Sequence, residues 1–465
     1  MAEITYDKFD LGLDLRKGPS VSDANRLRVL QNAYVNTGHT LTKRPAAVKV
    51  ATLEAGTKGL RPALGVLNTF YENGTIVHAN PLFVANKVPH PTLSQSVVRA
   101  HFCLPFLGFL YAVVEYADGS VWHHYLDGTS PTRITDPNCP QTKAVSLSAS
   151  KIWAAGAGEG STVRFSAAGN PRNWTGVTDA GFISPGIQQD GSQVVTALGQ
   201  YQNKLGIFFK DGAQMWTVDQ NPTNNALFQR IYGVGCPFPR TPAAFSTDIF
   251  FASAMGVRSL TIAAFTSNMQ DVDVGSPIDT LVVPTLTGTP IGAYVPGLGQ
   301  YWLAVGTTIW VFTFSRTSKI SAWSQYIFPF TVDDFAPLNQ FLYLRSGDAV
   351  YRLDPTQFTD DGVTVSVLIE MPYLDLKLGG HMKQIYAVDA VVQGTCTLAL
   401  RFDPRDPTKI TDTVTLSSDT RPGPIIPLEV MAEEVAPVFT HAAGEAFKLD
   451  WLKIYYNDLG ISGGP

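Results

Sequence analysis

The stretch "NQFLYLRSGDAVYRL", residues 339–353, consists of an apolar run, a tight polar turn and a second apolar run. This arrangement, with Gly and Asp in the turn, is typical of a β-hairpin. Stretches of the same form occur at 203–218 ("NKLGIFFKDGAQMWTV"), 248–260 ("DIFFASAMGVRSL") and 299–312 ("GQYWLAVGTTIWVF"). The recurrence predicts a fold assembled from repeated hairpins.

The repeat has a measurable period. The apolar centres of successive first strands lie 40, 41, 53, 44, 52 and 40 residues apart, at Tyr71, Tyr111, Ile152, Leu205, Ile249, Tyr301 and Phe341. A four-stranded propeller blade needs roughly 40–50 residues. We therefore expect residues 52–357 to form an all-β propeller of six or seven blades, with the hairpin as the inner half of each blade. Trp153, Trp216, Trp302, Trp310 and Trp323 are the expected large fillers between blades. The alternative is a β-sandwich with coincidental spacing.

The sequence changes character on either side of this region. Residues 1–51 form an N-terminal arm, in which "VSDANRLRVLQNAYV" (21–35) has apolar spacing that favours a helical turn or two. Residues 358–465 contain strand-like runs such as "VTVSVLIEMPYLDL" and "FKLDWLKIYYND". These terminal segments predict a smaller β-sandwich-like platform region beside the propeller.

Composition limits the classes of partner. Charged residues make up 16% of the chain, below the roughly 25% usual for soluble domains. The net charge is −5, whereas a protein that holds nucleic acid through its phosphates carries an excess of Lys and Arg. Sequence-specific nucleic-acid binding is therefore not expected. A surface poor in charge is suited to extensive subunit contacts, whose cores are depleted in charged residues.

Several fragments suggest chemistry but lack the rest of a site. "GAGEG" (156–160) has no helix after it, so a hairpin turn is favoured over a dinucleotide loop. "DVDVG" (271–275) lacks the closing Glu of a calcium loop. His123 and His124 are neighbours on a strand, so they point to opposite faces and are expected on an ordinary strand surface. We predict no catalytic, cofactor-binding or metal-binding residue.

The paired acids, the cysteines and the longest apolar run do not indicate a functional site or a membrane span. The paired acids Asp333-Asp334 and Asp360-Asp361 are expected in solvated turns. The four cysteines, Cys103, Cys139, Cys236 and Cys396, are far apart, which predicts buried free thiols. The longest apolar run, residues 102–114, is shorter than the about 20 residues that a membrane span needs. No signal peptide or spanning segment is expected.

A propeller glycosidase is one alternative to a structural role. "FSAAGNPRNW" (165–174) resembles the Ser-x-Asp-x-Gly-x-x-Trp turn of sialidase propellers, but Ala occupies the Asp position and the motif occurs once. A glycosidase needs two carboxylates flanking the scissile bond. Catalysis is therefore the weakest alternative. A propeller module that binds a host-surface glycan or receptor is a second one.

The same stretch also resembles a known family. Together with "QQDGSQVVTALGQYQNKLGIFFKDGAQMWTV" and "IYGVGCPFP", it is similar to the tail nozzle proteins of short-tailed bacteriophages, also called packaged-DNA stabilisation proteins. The matching positions are Gly169, Pro171, Trp174, Leu205, Phe208, Trp216, Gly233 and Gly235. The N-terminal segment resembles the opening signature of these proteins at Asn32, Gly38, Lys43, Arg44 and Pro45, with Ala46 where Gly is common.

The resemblance implies a structural role in the virion tail and no catalysis or cofactor. It implies a homo-oligomeric ring, usually of six copies, below the portal and its adaptor, the head-to-tail connector. A distal plug, needle or fibre protein would close the ring channel, through which phage genomic DNA passes without sequence-specific binding. The candidate structural or interface residues are Lys43, Arg44, Pro45, Gly169, Pro171, Trp174, Gly233 and Gly235.

Overall fold

The computed structural model describes residues 2–461 except 93, 157–159, 177–178, 189–192, 202–203, 246–247, 263–268 and 418–424. Within these residues it contains one short helix, α1 (Asp279–Val282), three single-turn 3₁₀ helices (Pro185–Gln188, Pro222–Asn224 and Val283–Thr285) and 41 strands. The all-β class expected from the sequence is confirmed.

Six strands precede the propeller: β1 (Ala2–Tyr6), β2 (Gly12–Leu13), β3 (Arg26–Leu27), β4 (Val29–Gln31), β5 (Ala33–Val35) and β6 (Leu41–Lys43). The propeller strands are β7 (Ala46–Thr52), β8 (Lys58–Ala63), β9 (Val66–Tyr71), β10 (Phe83–Lys87), β11 (Val97–Phe106), β12 (Phe109–Tyr116), β13 (Val121–Leu126), β14 (Val145–Ser148), β15 (Lys151–Ala155), β16 (Val163–Phe165), β17 (Gly181–Ile183), β18 (Ala197–Tyr201), β19 (Lys204–Phe208), β20 (Gly212–Thr217), β21 (Ala226–Tyr232), β22 (Ala243–Phe245), β23 (Asp248–Ser253), β24 (Gly256–Ile262), β25 (Met269–Val272), β26 (Ile291–Val295), β27 (Gln300–Val305), β28 (Thr308–Ser315), β29 (Ile320–Ile327), β30 (Asp334–Leu338), β31 (Phe341–Ser346) and β32 (Ala349–Asp354). The C-terminal strands are β33 (Thr359–Asp360), β34 (Val363–Thr364), β35 (Val367–Glu370), β36 (His381–Gln393), β37 (Cys396–Arg401), β38 (Val414–Leu416), β39 (Ile426–Ala432), β40 (Ala436–His441) and β41 (Lys448–Ile461).

The propeller has seven blades. In sequence order they are β8–β10, β11–β13, β14–β17, β18–β21, β22–β25, β26–β29 and β30–β32 with β7. The innermost strands β14, β18, β22, β26, β30, β8 and β11 contact one another in that order, and blades two and three share one apolar core. Blade seven therefore meets blade one, and the ring closes.

The recurring hairpin consists of the second and third strands of a blade, as in β31–β32. The expectation that it is the inner half of the blade is therefore wrong, since a separate strand, such as β30, lies closer to the axis. The second strands are the most apolar because neighbouring blades cover both of their faces. In β27, five of the six residues are buried.

Blade one departs from the pattern. Strand β10 pairs with β9 in parallel, with Phe83 opposite Leu67 and Lys87 opposite Tyr71. A parallel pair needs a crossover connection and cannot be joined by a tight turn. The hairpin predicted to begin with the strand at Tyr71 is therefore wrong, and residues 72–82 carry the chain back along the blade.

Both ends of the propeller sequence meet in blade seven. Strand β7 pairs antiparallel with β32, from Ala46 opposite Asp354 to Thr52 opposite Ala349. Residues 46–51, which the sequence analysis assigned to the N-terminal arm, thus form the outer edge of the last blade. This pairing closes the ring through hydrogen bonds between segments about 300 residues apart along the chain.

The terminal segments form two packed sheets, called the platform here. One sheet has the order β39-β36-β41-β6-β5, with β1 beside β41. The other runs β4-β35-β40-β37-β38 and is continuous with blade six, because β4 pairs with β29. Both sheets contribute to one buried core, which includes Val388, Leu452, Ile369 and Phe439. The predicted sandwich-like region is confirmed.

The helical turn expected at residues 21–35 is wrong. Strands β3, β4 and β5 occupy that range. Strand β4 pairs with β29 on one side and β35 on the other. Pairing with distant segments overrides the imperfect helical spacing, because propensity is a weak local preference.

The expected burial of the tryptophans is confirmed. Trp153 and Trp216 lie in the core between blades three and four, and Trp302 lies in the core between blades six and seven. Trp310 and Trp323 lie in a third core, which blades five and six share with the platform. None of the five side chains is more than 8% exposed.

Candidate functional site

Arg44 is buried where the propeller meets the platform. Its guanidinium forms a two-pronged ion pair with Asp360, in which Nη1 donates to Oδ1 at 3.0 Å. Nη2 donates to the Ile327 carbonyl and Nε to Asn32 Oδ1, each at 2.9 Å. The guanidinium carbon lies 4.0 Å from the ring centroid of Phe328. One side chain therefore joins the N-terminal segment, blade six and the linker that follows blade seven.

Asp360 completes the same arrangement. Its Oδ1 also accepts a hydrogen bond from the Ala47 amide at 2.7 Å, two residues after Pro45. The carboxylate is 2% exposed, so the expectation of a solvated turn acid is wrong. Its partner lies 316 residues away in the sequence, where no local pattern could reveal it.

Lys43 joins the N-terminal segment to the platform. Its ammonium donates to the carbonyls of Ala443 at 2.8 Å and Glu445 at 3.1 Å. It also lies 3.1 Å from Nε2 of His441, whose Nδ1 faces the Thr395 carbonyl at 2.7 Å and donates to it. Burial lowers the pKa of Lys43 to about 8. Lys43 and Arg44 thus make contacts within the chain and are almost absent from its surface.

The other residues of the N-terminal signature shape turns. Asn32 is buried with a φ of 55°, and its side-chain amide donates to the Ser366 carbonyl at 2.8 Å. The Gly38 amide donates to Asn36 Oδ1 at 2.9 Å in an exposed turn. This segment is fixed by hydrogen bonds to the linker and to itself.

The turn at Gly169, Pro171 and Trp174 fastens blade three to blade two. Gly169 has a φ of 68°, and the Trp174 indole donates to the Pro171 carbonyl at 2.9 Å. The Trp174 amide donates to Asp136 Oδ2 at 2.7 Å, and its ring packs edge-on against His123. The matched residues of this motif therefore stabilise contact between neighbouring blades.

Gly233 and Gly235 flank a close backbone approach after β21. Gly233 has a φ of 80°, and its amide donates to the Asp211 carbonyl at 3.0 Å. A Cβ on Gly235 would lie 2.3 Å from the Phe209 carbonyl oxygen and 2.4 Å from that of Lys210. Only glycine allows the segment to pack against the β19–β20 turn. The eight candidate residues thus fall in three separate places, and each makes contacts within the subunit.

A second set of residues, which the sequence analysis missed, lies along the propeller axis. One cavity of about 620 Å³ is lined by Arg61, His101, Lys143 and Arg240, among others. A neighbouring cavity of about 770 Å³ includes Lys58, Arg99, Asp333, Asp334 and Arg345. Except for Arg345, which is on β31, these side chains come from the innermost strands or the residues just before them. We call these two cavities the propeller channel.

Asp334 organises the charges of the channel. Its carboxylate forms ion pairs with Arg240 and with Arg61, the latter at 3.2 Å, and is 3% exposed. The expectation that the 333–334 pair is solvated is wrong for Asp334. Asp333 accepts from the Gly347 amide at 2.7 Å. No local sequence pattern could predict this cluster, because its three residues come from three different blades.

A histidine and a carboxylate form the second polar contact of the channel. His101 Nε2 lies 2.7 Å from Glu115 Oε2, and Arg99 Nη1 lies 3.9 Å from the same oxygen. Hydrogen bonding to His101 lowers the pKa of Glu115, and burial lowers the pKa of His101. His101 is therefore held as a neutral hydrogen-bonding group.

The two adjacent histidines lie in the core. His123 bonds to the Tyr111 hydroxyl at 2.7 Å, and His124 bonds to the Tyr116 hydroxyl at 2.9 Å. They point to opposite faces, as predicted, but the expected surface position is wrong, since both are at most 2% exposed. Burial lowers the pKa of His123 to about 4 and that of His124 to about 3.

The other fragments with possible chemistry have structural contacts. In "DVDVG", Asp273 forms an ion pair with Arg258 at 2.9 Å, while the Asp271 side chain lies outside the described part. The turn "GAGEG" lies mostly outside the described residues. All four cysteines are free; Cys236 and Cys396 are buried, and burial raises the pKa of Cys236 to about 12. Across the described ranges, no group of three or more His, Cys, Asp or Glu could hold a metal ion.

Comparisons with known proteins leave the family open. No family model matches the chain, and no curated protein sequence matches it. Among solved structures, one similar chain belongs to the crystal structure of a mitotic checkpoint complex, at 10% identity and a TM-score of 0.34. The match covers 75% of this chain and 94% of that one. The propeller assignment rests on the strand pairing above.

None of the helices in the described part of the chain is long and apolar enough to cross a membrane.

Proposed function

We propose that the chain is a structural subunit of a bacteriophage tail nozzle. In this role it assembles into a ring, with six copies as the expected number, below the portal adaptor. The ring retains packaged DNA behind a distal plug, needle or fibre protein and lets the DNA leave on infection. Its location is the virion tail.

The main support for the proposal is that the residues on which the family resemblance rests have structural roles. Lys43 and Arg44 of the opening signature are fully bonded at the contact between propeller and platform. Gly169, Pro171 and Trp174 fasten two blades, and Gly235 permits a close backbone contact. The residues of these motifs make contacts that hold the parts of the subunit rigidly together. A rigid subunit supports the proposal, because the subunits of a closed ring must all keep the same shape.

Exposed apolar side chains support assembly with other subunits. Phe182 and Tyr232, on the outermost strands of blades three and four, are 58% and 59% exposed. On the platform, Met431 of the edge strand β39 is 63% exposed, and Ile461 at the end of β41 is 73% exposed. Contiguous exposed apolar surface marks protein contact sites, and in a ring these side chains would contribute to such a surface between subunits.

The size of the propeller channel and the net charge of the chain indicate which route DNA would take through the ring. The cavities of the propeller channel, about 770 and 620 Å³, are in the range of small-molecule sites. DNA would therefore pass through the wider channel that the ring encloses. Six copies would carry six times the chain's net charge of −5. A negative wall repels phosphates weakly and lets DNA slide.

The test is the mass and shape of the purified protein. The expected result is a closed ring in native mass spectrometry and electron microscopy, either alone or after mixing with the adaptor encoded by a neighbouring gene. Antibodies against the chain should label the tail of the intact virion. A protein that stays monomeric with the adaptor present and binds surface glycans would overturn the proposal in favour of a receptor-binding propeller. Hydrolysis of a glycan would favour the glycosidase.

A further inference from the structure

The basic side chains of the propeller channel converge on its 620 Å³ cavity. Arg61 is on β8 in blade one and His101 on β11 in blade two. Lys143 lies just before β14 in blade three, and Arg240 lies just before β22 in blade five. Four blades therefore direct nitrogen-bearing side chains into one space, and Arg61, Lys143 and Arg240 supply donors there. No Asp or Glu is among the described residues that line this cavity.

The charges around the cavity do not balance. Arg61 and Arg240 share the single carboxylate of Asp334. Arg99 faces Glu115, whose other contact is His101. Lys143 has no carboxylate within 4 Å among the residues that the structure describes. Four cations thus face two carboxylates, which leaves an excess of about two positive charges at neutral pH, since Arg and Lys stay protonated there.

The adjoining cavity does not remove this excess. It adds the cations Lys58 and Arg345 and the carboxylate of Asp333, and Arg345 also pairs with Asp348 at 3.5 Å. These two cations and two carboxylates offset each other. The positive potential therefore stays centred on the cavity lined by Arg61, Lys143 and Arg240.

Three buried nitrogens of this cluster have no hydrogen-bond partner. They are Nε of Arg61, Nε of Arg240 and Nδ1 of His101. The side chains of Arg240 and His101 are only 5% and 2% exposed. A buried polar group without a partner is destabilising, and native proteins leave few of them. The two guanidinium nitrogens need an acceptor that the described residues do not supply. His101 differs, because its Nε2–H donates to Glu115 and leaves Nδ1 as an acceptor.

The electrostatics favour an anion as that acceptor. Burial and the neighbouring Arg61 and Arg99 lower the pKa of Arg240 to about 10 despite its contact with Asp334. A pKa of about 10 leaves the Arg240 guanidinium charged at neutral pH. Burial and the neighbouring arginines therefore destabilise a cation that is nevertheless present. A bound anion would relieve that repulsion, whereas a bound cation would increase it.

We propose that this cavity binds a tetrahedral oxyanion, a phosphate or sulfate group carried by a small ligand. Guanidinium groups match such oxyanions because they present several donors in one plane. A volume of about 620 Å³ leaves room for a small organic part beside the anion. The assignment does not depend on the nozzle function, and it holds or fails for the isolated chain.

The test measures protection against heat and the binding isotherm of the full-length protein. The probes are inorganic phosphate, inorganic sulfate and a hexose phosphate, with sodium chloride at matched ionic strength and the unmodified hexose as controls. A ligand that binds only the folded state raises Tm with concentration. We expect saturable protection from the oxyanions and none from chloride or hexose. Protection by all three oxyanions means that the anion alone is sufficient for binding. Protection by the hexose phosphate alone means that the ligand of the cavity is a phosphorylated saccharide.

The variant for this test is Lys143→Met. Lys143 is exposed and makes no ion pair among the described residues, so its replacement removes one positive charge without disturbing Asp334. We expect the Kd for the oxyanion to rise at least fivefold with Tm unchanged in the free protein. Lys87→Met, an exposed lysine on the outer strand of blade one, is the matched control and should bind as wild type. Absence of protection by every oxyanion, or equal Kd values for Lys143→Met and Lys87→Met, would overturn the proposal.

Discussion

Trp302 fills the core between blades six and seven. Its side chain has no exposure, its indole donates to Gln300 Oε1 at 2.8 Å, and its ring packs edge-on against Tyr326 and Phe335. Trp302→Ala would leave a cavity in this core and lower the free energy of unfolding by about 3–5 kcal/mol. Chemical denaturation measures the change. Tyr232→Ala, at an exposed aromatic, should stay near the wild-type value, and full stability of Trp302→Ala would contradict the packing described here.

His123 and His124 make the stability depend on pH. Their pKa values in the folded state, about 4 and about 3, lie below the about 6.5 of an unfolded histidine. The unfolded state therefore binds more protons below pH 6.5, so the free energy of unfolding falls as pH falls. Their contribution is complete above about pH 6.5 and is lost progressively towards pH 4 for His123 and pH 3 for His124, by at most about 1.4 kcal/mol per pH unit for each histidine.

Thermal unfolding at pH 7.5 and pH 5.0 tests this dependence. The wild-type Tm should fall between these values, and His123→Gln with His124→Gln should show a smaller fall. His381→Gln removes a partly exposed histidine paired with Asp458 and serves as the control, with the wild-type fall expected. An undiminished fall in the double variant would assign the pH dependence to other groups.

At the scale of an element, the segment 233–236 depends on Gly235. A Cβ there would meet two backbone carbonyl oxygens at 2.3 and 2.4 Å, and backbone cannot move aside as a flexible side chain can. Gly235→Ala should therefore shift the β19–β20 turn and cost about 1–3 kcal/mol or more. In Gly18→Ala the nearest atom is 3.7 Å away, so this control should stay close to wild type in the same thermal scan. Equal Tm values for the two variants would show that the close approach is relaxed in solution.

At the scale of the whole molecule, the Arg44–Asp360 pair holds the propeller to the platform. Arg44→Ala leaves a buried carboxylate without its cation, and breaking a buried pair in this way costs about 3–5 kcal/mol. Replacement of both residues, Arg44→Met with Asp360→Leu, removes both charges and should recover part of the loss. Urea denaturation followed by tryptophan fluorescence measures all three proteins. A double variant less stable than Arg44→Ala would mean that the hydrogen bond from the Ala47 amide to Asp360, which only the double variant loses, outweighs the cost of the unpaired carboxylate.

The sequence by itself determined the all-β class, the period of about 45 residues and the propeller. It could do so because strand alternation and hairpin turns depend on residues next to each other in the chain. The tryptophans at 153 and 302 could be assigned to the core for the same reason: they lie in apolar runs that recur with each blade.

Only the tertiary structure decided how the ring closes and where the charges go. The pairing of β7 with β32, the parallel strand β10 and the extension of blade six by β4 depend on segments that folding brings together. The same holds for Asp360 beside Arg44 and for Asp334 beside Arg61 and Arg240. An acidic residue in a turn has the same local sequence whether it is solvated or buried, because its environment is set by a partner that is distant in the chain.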